Sequence, residues 1–227
     1  MSNIFDNLLQ LPLFQGLSEE RLHSLVEKYP FHFLKFNAAE RIIDAGDPCS
    51  HLRFVVNGSV KVRETSRELK VTVEHRLSAP NVIAPDYLFG LTTNYPFDVY
   101  AQEPCGILQL TKGDFLSMLQ TDDVLMINIL NYLSRNAQRA KHILMGLKEG
   151  LTVQRIALLV AALTPQKSAH IALQFRQRDL CHLLGVRRAT LLNALNELSG
   201  QELITFTTTS ITVPHRDALL SVLKAGF

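Results

Sequence analysis

Between residues 187 and 196 the sequence reads RRATLLNALN. Wound as a helix, this stretch gathers Leu191, Ala194 and Leu195, with Leu198 a turn later, on one face. Arg187, Arg188, Thr190, Asn193 and Asn196 fall elsewhere. Arginine pairs bidentately with the edge of guanine and asparagine with that of adenine. Ala189 is small enough to let such a helix approach a groove closely. The preceding segment offers Leu180, Leu183 and Leu184 as an inner face and Arg178 as an outward charge, and Gly185 stands where the chain must turn sharply. Two readings fit these residues: a packed helical hairpin with a solvated outer face, and a helix pair that presents its second member to base edges.

Other chemistries find less support. The cysteines Cys49, Cys105 and Cys181 are odd in number, far apart and without CxxC spacing, which speaks against a disulfide framework, a zinc ribbon or an iron-sulfur cluster. His32, His51 and His75 are isolated, with no HxH or HxxxH spacing, so the sequence holds no metal-ligand set, and one of them as a haem ligand is the alternative that stays open. A jelly-roll oxygenase or isomerase needs two or three His with a carboxylate, and that constellation is missing, as are a nucleophile elbow, a Walker loop and a dinucleotide fingerprint. The sequence therefore predicts no enzyme, no metal and no cofactor.

The elements that must position the arginines follow from periodicity. Ser18 precedes Glu19 and Glu20 as a helix N-cap, opening a short amphipathic segment over 17–27. From Phe31 to Leu110 short segments such as FHFLKF, RIID, LRFVV, SVKVRE, KVTVEHRL, DVYAQ and GILQL are rich in β-branched and aromatic residues and broken by Gly, Pro, Asn or Asp. Such spacing predicts a barrel or jelly roll. The period turns helical at Lys112, first in KGDFLSMLQ and then over 122–148. In the long run Met126, Ile129, Leu133, Asn136, Ala140, Ile143 and Leu147 recur at heptad spacing. A second stripe, Leu125, Leu130 and Leu144, is expected to pack on the barrel while the heptad seam meets a second chain. A single amphipathic helix buried against its own domain is the alternative.

Glu149 and Gly150 interrupt that helix, and LTVQRIALLVAAL begins another that ends before Pro165. A strand, HIALQF, leads into the helix pair, and LITF and SITV then read as a hairpin. Helix, helix-turn-helix and hairpin make a winged-helix module.

The 227 residues carry a formal net charge of only +2, so the average names no partner. The distribution does. From Gly150 onward eight basic residues (Arg155, Lys167, Arg176, Arg178, Arg187, Arg188, Arg216, Lys224) face four acidic ones, which suits a rear module that meets a polyanion. The start has no basic region followed by an apolar core, and the longest apolar run, IALLVAAL, is too short to span a bilayer, so a cytoplasmic protein is expected.

In three ordered places the chain resembles the cyclic-AMP receptor protein and fumarate-nitrate regulator (CRP/FNR) transcription factors. RDLCHLLGVRRATLLNALNELSGQELI is similar to that family's helix-turn-helix, AGDPCSHLRFVVNGSVKV to its β-roll entry, and VQRIALLVAAL to the helix after its inter-domain hinge. The resemblance implies an α+β chain: an N-terminal β-roll of the cyclic-nucleotide-binding kind over 1–120, a dimerisation helix over 121–149 and a winged helix-turn-helix over 150–227. It also implies a homodimer on a palindromic double-stranded DNA operator, with RNA polymerase as a further partner, and Arg178, Arg187, Arg188, Ala189, Thr190 and Asn193 as DNA-binding residues. One departure stands out. Relatives that bind cyclic AMP hold its phosphate with a Gly-Glu-Leu turn and, ten residues beyond the Glu, an Arg followed by Ser or Thr. Here those positions are Ala84, Pro85 and Asp86, then Tyr95 and Pro96, and the adenine-contacting Thr-Ser pair is replaced by Ala140 and Lys141. Two prolines without N–H groups and a repelling carboxylate cannot hold a phosphate. The expectation is a regulator not controlled by cyclic AMP, its effector unknown.

Overall fold

The computed structural model describes residues 4–223. These divide into two compact units, residues 1–61 with 77–136, and residues 62–76 with 137–227. Lys224, part of the basic count above, lies outside the described residues.

In the first unit two short helices, α1 (Ile4–Leu9) and α2 (Glu19–Lys28), precede the strands. Ser18 caps α2 by accepting from Arg21 N at 3.2 Å, as its position before two glutamates predicts. The strands in chain order are β1 (His32–Phe36), β2 (Arg41–Ile43), β3 (His51–Asn57), β4 (Ser59–Ser66), β5 (Val71–Ser78), β6 (Asn81–Ile83), β7 (Phe97–Ala101) and β8 (Cys105–Thr111), of which β4 and β5 lie mostly within residues 62–76 of the second unit. One antiparallel sheet has the order β1-β8-β3-β6, and β2 pairs with β7. The sequence segments named above all became strands, whereas β6, three residues long, was not foreseen. Gly58 between β3 and β4 has φ 70°, and a Cβ there would lie 2.6 Å from Pro104 O, so only glycine fits this reversal. The result is the β-roll.

Helices α3 (Lys112–Thr121) and α4 (Asp123–Glu149) follow. Asp122 fixes the start of α4: its Oδ1 accepts from Val124 N and Leu125 N, while Oδ2 accepts from Arg21 Nε at 2.7 Å. Burial by itself would raise this carboxyl's pKa, but Arg21 and the two backbone N–H groups hold it below the usual value.

The second unit contains α5 (Thr152–Leu163), β9 (Ala169–Phe175), α6 (Gln177–Leu184), α7 (Arg188–Gly200), β10 (Thr205–Phe206), β11 (Ser210–His215) and α8 (Arg216–Leu220). Its sheet runs β10-β11-β9-β5. The last pairing was not legible in the sequence. β5 lies antiparallel to β9, with Val71 opposite Phe175 and Val73 opposite Leu173, and both valines join the buried core of α5, α6 and α7. Each such side chain contributes roughly 1.5–3 kcal/mol as an upper estimate.

The long helix corrects one expectation. Leu125 is buried as foreseen, but Leu130 and Leu144, its expected companions on the barrel, are 51% and 68% exposed. Ile129 and Ile143 of the expected seam are instead buried within their own chain. Met126, Leu133, Asn136 and Leu147 are half-buried and Ala140 is exposed. The row left outward lies one residue later: Ile127, Leu130, Ser134, Ala137, Lys141 and Leu144, again at heptad spacing. Adjacent residues sit about 100° apart on a helix, so two neighbouring apolar rows give the same period, and periodicity does not choose between them.

Candidate nucleic-acid interface

The recognition segment begins with the end of α6. Gly185 takes φ 64°, ψ 34°, the left-handed conformation that ends a helix without a Cβ clash, and Val186 N returns to Cys181 O at 3.0 Å. Arg187 is the N-cap of α7, with an extended backbone and no side-chain cap. The first N–H groups of α7 are therefore left for solvent or an anion.

On α7, Leu191, Ala194, Leu195 and Leu198 are buried, while Arg187, Arg188, Ala189, Thr190, Asn193 and Asn196 are exposed. The structure thus brings five of the six sequence-predicted DNA residues onto one element. The sixth, Arg178, stands on the first turn of α6 with 82% of its side chain exposed. Among the described residues the side chains of Arg187, Arg188 and Asn193 have no hydrogen-bond or ion-pair partner. Exposed arginine and asparagine without internal partners can be satisfied by base edges and phosphates.

Two arginines from the basic count do something else. Arg155 of α5 donates to Gly150 O at 2.8 Å, Lys148 O at 3.0 Å and Leu184 O at 3.1 Å, tying the ends of α4 and α6 together. Arg216 is only 4% exposed. It donates to Thr164 Oγ1 at 3.0 Å and Thr164 O at 3.2 Å, and burial, followed by the neighbouring Arg139, pushes its pKa down to about 10. Close by in the same unit, His75 of β5 is 5% exposed. Ser168 Oγ donates to Pro165 O at 2.8 Å, so it must accept from His75 Nδ1 at 3.2 Å, which assigns the proton to Nδ1. Burial, and then Arg216, drive the His75 pKa down to about 4. These groups are structural, and no sequence signal separated them from DNA-facing charge.

The loop over 84–96 shows the opposite arrangement. Ala84 adopts φ 46°, ψ 50°, a left-handed conformation although a Cβ is present. Pro85 is buried, and Asp86 accepts from Asn136 Nδ2 at 3.0 Å, so this member of the expected seam is engaged within its own chain. Tyr95 is 1% exposed. Its hydroxyl accepts from Arg53 Nη1 at 3.1 Å and donates to His51 O at 3.2 Å. Arg53 Nε also donates to Gln109 Oε1 at 3.2 Å, and its guanidinium lies 5.6 Å from the Tyr95 ring centroid. Burial raises the phenol's pKa well above its ordinary value, so it stays neutral. Pro96 is half-buried, and Ala140 and Lys141 are exposed on α4. Cys49 and Cys105 are both buried as free thiols. Among the described residues no three His, Cys, Asp or Glu side chains cluster to hold a metal ion, and no helix is long and apolar enough to cross a membrane.

Comparison with known proteins matches two stretches of the chain. Residues 33–122 match the cyclic nucleotide-binding domain, and residues 154–222 match the Crp-like helix-turn-helix domain. The chain belongs to the CRP/FNR family of DNA-binding transcription regulators. It is 23% identical over 178 residues to the cAMP-activated global transcriptional regulator CRP of Pasteurella multocida, covering 76% of this chain and 85% of that one. A 116-residue stretch, 49% of this chain, is 28% identical to the potassium channel SKOR of Arabidopsis thaliana but spans 13% of that protein. The fold matches the catabolite activator protein of Thermus thermophilus with a TM-score of 0.54 at 22% identity, over 93% of this chain and 97% of that one. In this chain α7 turns its polar side chains outward, while Tyr95 of the 84–96 loop is buried and hydrogen-bonded inside the roll.

Proposed function

We propose that this CRP/FNR regulator acts as a homodimer on a palindromic operator and does so without cyclic AMP. The observation that carries the reading is the contrast in polar groups: α7 leaves Arg188 and Asn193 exposed and unpartnered, whereas Tyr95, at the place of the family's phosphate-binding arginine, is buried and hydrogen-bonded inside the roll. In this reading Arg188 reads a guanine, Asn193 suits an adenine, and Arg187, about 100° around the helix, meets a phosphate. Ala189 has no acceptor for cytosine, so the operator differs from that of relatives with Glu there. Half-sites lie one helical turn apart, about 10 base pairs.

Self-association is assigned to the outward row of α4, with Ile127, Leu130, Ala137 and Leu144 as its apolar members; Leu130 and Leu144 are 51% and 68% exposed in the single chain. A cytoplasmic location and contact with RNA polymerase accompany this reading, and non-enzymatic action follows from it. Binding-site selection with the full chain should return a palindrome with a guanine in each half. Calorimetry with cyclic AMP and cyclic GMP should give no heat of binding, and a micromolar dissociation constant would overturn the cyclic-AMP-independent reading. Sedimentation should show dimers that Leu130→Glu with Leu144→Glu converts to monomers. A monomeric wild type at micromolar concentration would refute the assignment of the row.

A further inference from the structure

The sheet of the second unit places two hairpin turns at one of its ends. β9 finishes at Phe175, and its register partner Val71 is the first residue of β5; β11 starts at Ser210, opposite Gln174 of β9. The turn that enters β5, residues 67–70, and the wing turn that enters β11, residues 207–209, therefore leave the sheet on the same side. α6 starts there too, at Gln177, just past Phe175. Lys70 Nζ stands 3.9 Å from Asp179 Oδ1, and Arg178 Nε stands 3.8 Å from the same oxygen, which sets the turn beside the first turn of α6.

The two turns are built alike and charged differently. Thr207 Oγ1 accepts from Ser210 N at 3.0 Å, and Ser66 Oγ accepts from Leu69 N at 3.1 Å. The wing turn is Thr207, Thr208 and Thr209, without charge, whereas the other carries exposed Arg67 and Lys70 against exposed Glu68. Arg67 has no ion pair among the described residues, and Lys70 remains 63% exposed beside Asp179.

We propose that the β4–β5 turn is a second wing, with Arg67 and Lys70 bound to the phosphate backbone of the duplex that α7 reads. The proposal rests on α7 being the recognition helix, because that reading makes the end of the sheet carrying the wing and the start of α6 the DNA-facing end. The partner is the backbone rather than the bases. Long cations on an exposed turn, with no helix or strand to enter a groove, act as point charges toward phosphate and carry no base code.

The test uses the full chain and duplexes carrying the site selected by the wild type, titrated between about 50 and 200 mM salt. The Arg67→Ala/Lys70→Ala variant should weaken selected and random duplexes alike and lower the slope of log K against log salt by roughly 0.9 for each phosphate that the variant no longer neutralises. Its selected base preference should stay as in the wild type, and Glu68→Gln should tighten binding. Arg67→Gln alone, at a side chain without an ion pair, keeps the test decisive if breaking the Lys70–Asp179 pair disturbs the turn. Wild-type slope and affinity in both variants, while Arg187→Ala lowers the slope, would overturn the second wing and leave the reading of α7 intact. A changed base preference would overturn it as well. A wild type that binds no duplex would overturn the reading of α7, and the second wing with it.

Discussion

The loop over 84–96 and the α6–α7 segment treat their polar groups in opposite ways. In the loop, Asp86 is engaged by Asn136, Tyr95 bridges Arg53 and His51 O, and Pro85 and Pro96 offer no donor. In α7 the apolar half of the helix is buried against the core, and the exposed Arg188 and Asn193 have no side-chain partner among the described residues. A buried polar group must be satisfied, and once it is satisfied from inside it is no longer available to a ligand. The difference is the basis for proposing α7, and not the loop, as the place of recognition.

That contrast can be broken most forcefully at Tyr95. Tyr95→Ala removes a fully buried ring and strands Arg53, so it should cost about 3 kcal/mol or more in urea unfolding. If instead stability hardly changes, the ring is not holding the roll together. The second largest effect concerns pH. His75 has a folded pKa of about 4, below its unfolded value, so between those two the unfolded chain binds more protons. The stabilising effect of keeping it neutral is complete above about pH 6.5 and is lost on acidification, by about 3 kcal/mol near pH 4. Urea melts at pH 7, 6 and 5 should show this slope in the wild type and a shallower one in His75→Gln.

On the other side of the comparison the changes should leave stability alone and alter recognition. Arg188→Ala should lower operator affinity by roughly 1–3 kcal/mol per half-site and relax the preference at one guanine, with an unchanged urea midpoint. Retention of every base preference would move the readout to Asn193 or to the wing. Arg187→Ala should have the smallest effect, a uniform loss on all sequences with a salt slope lower by roughly 0.9. A sequence-dependent loss at Arg187 would place it on a base edge.

The order of elements and the recognition helix were legible because neighbours along the chain decide them. Ser18 finds its N-cap partner three residues on, Gly185 is needed where the chain turns, and the buried face of α7 follows from residues three and four apart. For α4 the same local rule gave the helix but not its orientation, since two adjacent apolar rows share one period and the chosen row depends on which groups the rest of the chain presents.

Tertiary structure alone decided the remaining points. Arg155 and Arg188 are equal charges in a sequence, yet Arg155 donates to three carbonyls while Arg188 stays exposed. His75 meets Ser168 across 93 residues, and Tyr95 meets Arg53 across 42. β5 joins β9 although about a hundred residues separate them, which carries Arg67 and Lys70 to the same end of the sheet as the wing turn. Local hydrogen bonding and helical period fix what a segment becomes; the fate of a polar side chain depends on which distant donor or acceptor the fold brings within about 3 Å, and no spacing along the chain encodes that.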